Sequence, residues 1–137
     1  MSCFARPLDA NDWARLEAGA AQLQGVLYGI ARDTDTLVEI DLTTYLATTV
    51  GPLGTDDNFG GLAIDSNSNT MYMSGGRLND NIFTVDYMTG AATLLGLHGI
   101  NDVFGLAYDT TNDVLYGSTT ANELYSFSQV DGSATLI

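Results

Sequence analysis

A chain of 137 residues with a net charge of −13, four arginines and no lysine has room for one packed core and little to offer a polyanion. Nucleic acid phosphates and anionic membrane surfaces both need Lys and Arg to displace their counterions, so neither is expected as a partner. No run of 18 apolar residues occurs, which excludes a helical membrane span, and the single cysteine, Cys3, excludes an intrachain disulfide or a one-chain thiolate metal cage.

Residues 1–24 carry the only tryptophan and no threonine, and Trp13, Leu16, Ala20 and Leu23 fall at spacings that share one helix face. A short non-repeat helical segment is expected there, capped by Asp9 or Asn11 and ended by Gly25. Met1 to Pro7 lack a basic start followed by an apolar run, so no secretory leader is expected within them.

From Gly25 onward the texture changes to short alternating segments separated by Asp, Asn, Gly and Thr, the pattern of many short strands. Tyr28, Tyr72 and Tyr116 stand 44 residues apart, as do Asp65 and Asp109, and a fixed period of that size marks a repeat architecture. Gly61 to Asp65 and Gly105 to Asp109 read as first strands. Second strands follow around the three tyrosines. Leu37 to Asp41, Ile82 to Asp86 and Leu124 to Ser128 are third strands, in which Val38 with Ile40, Phe83 with Val85, and Tyr125 with Phe127 share a face. Ala47 to Gly51, Ala92 to Gly96 and Ala134 to Ile137 are fourth strands. The links are short, so each strand pairs with its sequence neighbour in a four-stranded antiparallel meander. Thr89-Gly90 and Asp131-Gly132 turn the third strand into the fourth, with glycine supplying a positive φ. Tyr45 stands at that position in the first round, so its turn is expected to be built differently or to carry strain.

Tandem meanders of 40 to 50 residues are β-propeller blades, and the fold expected is all-β, with blades over 25–59, 60–103 and 104–137. The phrases Leu27-Tyr28-Gly29, Val50-Gly51-Pro52-Leu53-Gly54, Phe59-Gly60-Gly61-Leu62-Ala63 and Thr89-Gly90-Ala91-Ala92-Thr93 carry a further resemblance. Over residues 25–137 the chain resembles the repeats of secreted bacterial propeller proteins grouped as a domain of unknown function. The resemblance implies a propeller fold and an extracellular or cell-surface location, and brings no catalytic motif with it.

Counting back 44 residues from the first strand at Gly61 reaches Glu17-Ala18-Gly19-Ala20-Ala21, a better helix than strand, so the chain supplies about 2.75 blades. Closed rings need at least four. An open stack exposes the outer faces of its end blades, each roughly 350 Å² in projection for four strands about 4.8 Å apart and about 18 Å long. Leaving two such faces wet forgoes on the order of 10 to 15 kcal/mol, comparable with the stability of a domain. The partner expected is therefore another copy of the chain, completing a ring or building a filament, or the remainder of a longer propeller.

Catalytic constellations are sparse. His98 is the only histidine and is expected as an ordinary loop residue; no Gly-x-Ser-x-Gly elbow, phosphate loop, dinucleotide fingerprint or HExxH occurs. Asp65-x-Asn67-x-Asn69 has the opening spacing of an EF-hand loop but lacks its glycine and its closing Glu, and a polar hairpin turn accounts for it better. The loops joining second to third strands, and those crossing to the next blade, lie on the face where propellers generally bind ligands. They hold the candidate binding residues Asp33, Asp35, Asp56, Asp57, Asn58, Asn79, Asp80, Asn101 and Asp102, with Arg77 and His98 beside them. Closing a ring would gather these carboxylates around one mouth, able to take calcium or a cationic or polyhydroxyl ligand. Solvated turn residues, or an acidic surface suited to a salty habitat, account for the same acids. No catalytic residue and no resident cofactor are expected, with calcium the one metal the rim suits. The enzyme alternative is a calcium-dependent propeller hydrolase or lactonase; it would need acids or amides on the inner strands, which read Leu62-Ala63-Ile64 and Leu106-Ala107-Tyr108.

Overall fold

The computed structural model describes residues 26–56, 60–77 and 79–137, and the helix expected over 1–24 lies outside them. Eleven strands run β1 Val26–Ala31, β2 Thr36–Asp41, β3 Ala47–Pro52, β4 Leu62–Asp65, β5 Thr70–Ser74, β6 Asn81–Val85, β7 Ala92–Leu97, β8 Val103–Asp109, β9 Val114–Thr119, β10 Leu124–Phe127 and β11 Ala134–Leu136. They form three antiparallel sheets of three, four and four strands, β1-β2-β3, β4-β5-β6-β7 and β8-β9-β10-β11, and no helix occurs among the described residues.

The period is visible in the register. Register shifts fall between Leu37 and Val38 of β2 and between Ile82 and Phe83 of β6, with Val50 of β3 and Leu95 of β7 as the extra residues, at the same place in the first two sheets. The last sheet departs from expectation at its inner edge. Its first strand starts at Val103, two residues before Gly105, with an irregularity in the pairing with β9 that leaves Phe104 outside the register. A bulge of this kind bends a strand and re-aims its side chains, and here Val103 ends fully buried while Phe104 is exposed.

Successive residues of a strand point to opposite faces, and the middle sheet uses both. Met71, Met73, Phe83 and Val85 pack toward the first sheet, against Tyr28, Ile30 and Leu37, with Leu53 closing the cluster. Ala63, Tyr72 and Ile82 pack the other way, against Val103, Leu115 and Phe127 of the last sheet. Two cores thus lie between three sheets, and β5, buried at four of its five positions, belongs to both.

The sheets are also fastened backbone to backbone. A Cβ on Gly51 in β3 would fall on the carbonyl of Thr89, in the turn of the next sheet, and Ala92 N donates to Leu53 O at 2.9 Å across the same junction. Gly96 in β7 meets Asp131 in the same way. At the inner edge, Gly61 lies against the backbone of Gly105 and Leu106, as crowded as its place at the start of a first strand led one to expect.

The three turns from third to fourth strand are alike. Gly90 N and Gly132 N donate to Asp86 O and Ser128 O at 2.7 and 3.0 Å, and Tyr45 N donates to Asp41 O at 2.7 Å. Their φ values are 84°, 75° and 59°, so Tyr45 adopts the glycine conformation and carries the strain. The other non-glycine residues with positive φ among those described, Asp35, Asn69, Asp102, Asp113 and Asn122, are all Asp or Asn, which tolerate it. The Tyr45 side chain is 79 % exposed and contributes little packing. Relief of about 1 to 2 kcal/mol of left-handed strain, offset by roughly 0.5 to 1 of glycine's extra chain entropy, leaves Tyr45→Gly more stable by about 0.5 to 1 kcal/mol in urea denaturation.

Candidate functional site

The loops at one end of the strands hold the predicted acids Asp33, Asp35, Asp56, Asp80 and Asp102, but divide them. Asp35 ends the β1–β2 turn at φ 49°, and its carbonyl accepts from Leu53 N at 2.8 Å. Leu53 is 1 % exposed, so this bond ties the loop after β3 to the loop after β1. Between them lies an open hollow of about 430 Å³, lined by Thr34, Asp35, Pro52, Gly54, Thr55 and Asp56. Two of the predicted residues, Asp35 and Asp56, therefore line one concavity, while Asp33 sits exposed on the same β1–β2 turn and Asp57 and Asn58 lie outside the described residues.

Asn79 and Asp80 belong to a separate group in the β5–β6 loop. Asn79 Oδ1 accepts from Asn81 N at 2.7 Å and presses against Gly75, so its amide shapes the loop. Asp80 O accepts from His98 N at 2.8 Å, which joins this loop to the crossing between β7 and β8. On that crossing Asn101 is exposed and Asp102 takes a φ of 61°. Among the described residues, no three His, Cys, Asp or Glu side chains stand close enough to hold a metal ion.

His98 lies in the loop between β7 and β8, as expected, but is buried there at 7 % exposed. Its ring meets Phe127 edge to face at 5.2 Å, and Nδ1 accepts from Ile100 N at 3.3 Å. Nε2 is buried without a hydrogen-bond partner among the described residues. Burial pushes the imidazole below its ordinary pKa, against the weaker pull of the Asn81 carbonyl and the Asp80 carboxylate, which favours the neutral ring.

The opposite end carries a polar cluster that sequence reasoning missed. Tyr72 and Tyr108 stack at 5.9 Å with planes 2° apart, and both hydroxyls donate to Gln129 Oε1, at 3.2 and 2.9 Å. Gln129 Nε2 donates to Asp113 O at 3.0 Å, and the Tyr108 hydroxyl also meets the Asp113 carboxylate. Burial first, and then neighbouring carboxylates, raise both phenols, which stay protonated. The cluster clamps the last two sheets. Tyr87 occupies the place of Gln129 in the middle sheet, one repeat earlier, and its ring lies 6.3 Å from that of Tyr28. The 44-residue spacing of the tyrosines was the available signal. Asp65 accepts from Asn67 N at 2.8 Å and from the Ser68 hydroxyl, the polar hairpin turn expected of it.

The outer faces of the end sheets form the remaining surface. On the first sheet, Leu27 pairs with Ile40, and Gly29 points at Val38 and Ile40, so these residues share the face turned away from the core. Leu27 is 50 % exposed, whereas Met71 and Leu115, one and two repeats later, are 0 % exposed. On the last sheet, Leu124 is 45 % exposed where Leu37 and Ile82 are 0 %. A hollow of about 150 Å³ lies there, lined by Gly105, Leu106, Ala107, Tyr116, Gly117, Ser118 and Leu124.

No protein-family model matches the chain, and no curated protein matches it. Solved structures do. A chain of a nidogen/laminin complex aligns with a TM-score of 0.62 at 16% identity over 83% of this chain. A structural-genomics protein of unknown function from Bacteroides thetaiotaomicron aligns at 0.58 and 16% over 80%. A putative 6-phosphogluconolactonase from Bacteroides fragilis aligns at 0.50 and 18% over 80%. The neighbours include propeller-like proteins, and at these identities the likeness shows the fold alone: the chain is β-propeller-like. It spans 44%, 32% and 34% of those three chains, under half of each.

Proposed function

We propose that this chain is a non-enzymatic β-propeller module for binding or extracellular assembly, and that it self-associates to complete a ring or build a filament. One observation carries the reading: at the end faces, the repeat positions that are sealed inside the stack lie open, as Leu27 and Leu124 do. Large apolar side chains left open on both end faces are the mark of an association surface. The resemblance to secreted bacterial repeat proteins supports an extracellular setting. The hollow holding Asp35 and Asp56 is where a calcium ion or other cationic ligand would meet the acidic rim. The inner strand β4 reads Leu-Ala-Ile-Asp, and the Asp65 carboxylate is engaged by its own turn, which favours the binding module over a propeller hydrolase or lactonase. The test is mass under native conditions. Dimers or longer assemblies at about 10 μM, a concentration matched to micromolar contacts, are expected; a monodisperse monomer over a hundredfold concentration range overturns the reading.

A further inference from the structure

We infer that the outer face of the last sheet receives the outer face of the first sheet of a second copy, head to tail, in the register by which sheets already stack inside the chain. The inference rests on the self-association proposed above and names its two surfaces. The stacking rule is stated twice within the molecule. At the first junction, Tyr28 and Leu37 receive Met71 and Val85; at the second, Tyr72 and Ile82 receive Leu115 and Phe127. Strand pairing fixes the equivalences. Leu27 opposes Ile40 as Met71 opposes Val85 and Leu115 opposes Phe127. The first sheet thus presents Leu27 and Ile40 outward, at the inserting positions, with nothing in front of them among the described residues.

The last sheet presents the receiving positions. Ala107, Tyr116 and Leu124 stand where Ala63, Tyr72 and Ile82 stand one repeat earlier, and they line the hollow of about 150 Å³. Ala63 is 6 % exposed beneath its neighbour sheet, whereas Ala107 is exposed. A third equivalence closes the fit. The residue that follows the turn-opening position, Asp86 or Ser128, touches the tyrosine of the preceding sheet: Tyr87 meets Tyr28, and Gln129 meets Tyr72. Leu42 holds that place in the first sheet and is 48 % exposed, so it meets Tyr116 of the second copy.

A face built to insert and a face built to receive make the contact heterologous. Two like faces brought together would set inserting side chains against each other. The outer corner departs from the internal pattern, because Tyr45 replaces the glycine that lets a turn touch its neighbour's backbone, and among the described residues the first sheet has no counterpart of the inner strands β4 and β8. The contact therefore runs through β1 and β2, set against the outer face of the last sheet.

Leu27→Glu and Leu124→Glu each bury a carboxylate in this contact and raise the dissociation constant by roughly 100-fold or more. Both positions are exposed in the single chain, and unchanged circular dichroism and melting confirm the fold. Sedimentation velocity at about 10 μM, within the range where micromolar contacts form, is expected to show each variant monomeric and a one-to-one mixture dimeric, because the mixture retains one intact head and one intact tail. Association that survives in Leu124→Glu but not in Leu27→Glu means a like-to-like contact and overturns the inference. So does a mixture that stays monomeric, or association that both variants keep; in each case self-association itself stands. A monomeric parent chain removes that reading instead.

Discussion

Replacing Gly96 with alanine is expected to lower stability by about 2 to 3 kcal/mol, the upper end of overpacking costs, although the change adds one methyl group to a strand. In an ordinary strand alanine is the better residue by roughly 0.5 to 1 kcal/mol. Here the new Cβ would land on the carbonyl oxygen of Asp131 in the turn of the adjacent sheet. Both sides of that contact are main chain, so no rotamer can swing aside. The last sheet must move away from the middle one, and the packing of Ile82 with Phe127 and its neighbours across the junction is loosened. Gly29→Ala is the control: its Cβ would stand 3.6 Å from Ile40 and Val38, an ordinary contact, and stability should change by less than about 1 kcal/mol or rise. Urea denaturation decides the matter, and equal losses in the two variants would show that the junction at Gly96 tolerates a side chain.

That contact shows where the sequence was legible and where it was not. Alternation within strands, the 44-residue spacing of Tyr28, Tyr72 and Tyr116, and the turn glycines Gly90 and Gly132 are local signals, and the eleven strands lie where those signals put them. Gly51 and Gly96 recur in the fourth strands as plainly, but the reason lies in another sheet, and nothing local announces a neighbour's carbonyl. The inner edge of the last sheet was hidden in the same way, since the bulge that buries Val103 depends on the pocket it fills. Of the acids predicted for the rim, Asp33, Asp35, Asp56, Asp80 and Asp102 lie in loops among the described residues. Sequence carried no radial information, so Asp35 and Asp56 share a hollow while Asp80 and His98 form a separate link. His98, a lone histidine in the loop after β7, offered no period to betray its burial.

Phe127→Ala is expected to cost about 3 to 5 kcal/mol, as emptying a large buried aromatic generally does. Phe127 is 4 % exposed at the end of β10, and its ring occupies the space that Gly117 leaves beside Val103. The same ring covers His98, so the variant should change a second quantity that a generic cavity would not. In the parent fold His98 is held below its ordinary pKa of 6.5 chiefly by burial. The unfolded chain therefore binds its proton first as pH falls, and the stabilisation this gives is complete above about 6.5 and drains away below it, through the folded value. Removing the Phe127 ring admits water beside the imidazole, moves its titration back up toward 6.5 and flattens that part of the stability profile. The C2-proton shift of this single histidine in NMR, followed against pH in both proteins, gives the answer directly. An unmoved titration in Phe127→Ala would mean that something other than this ring keeps His98 dry.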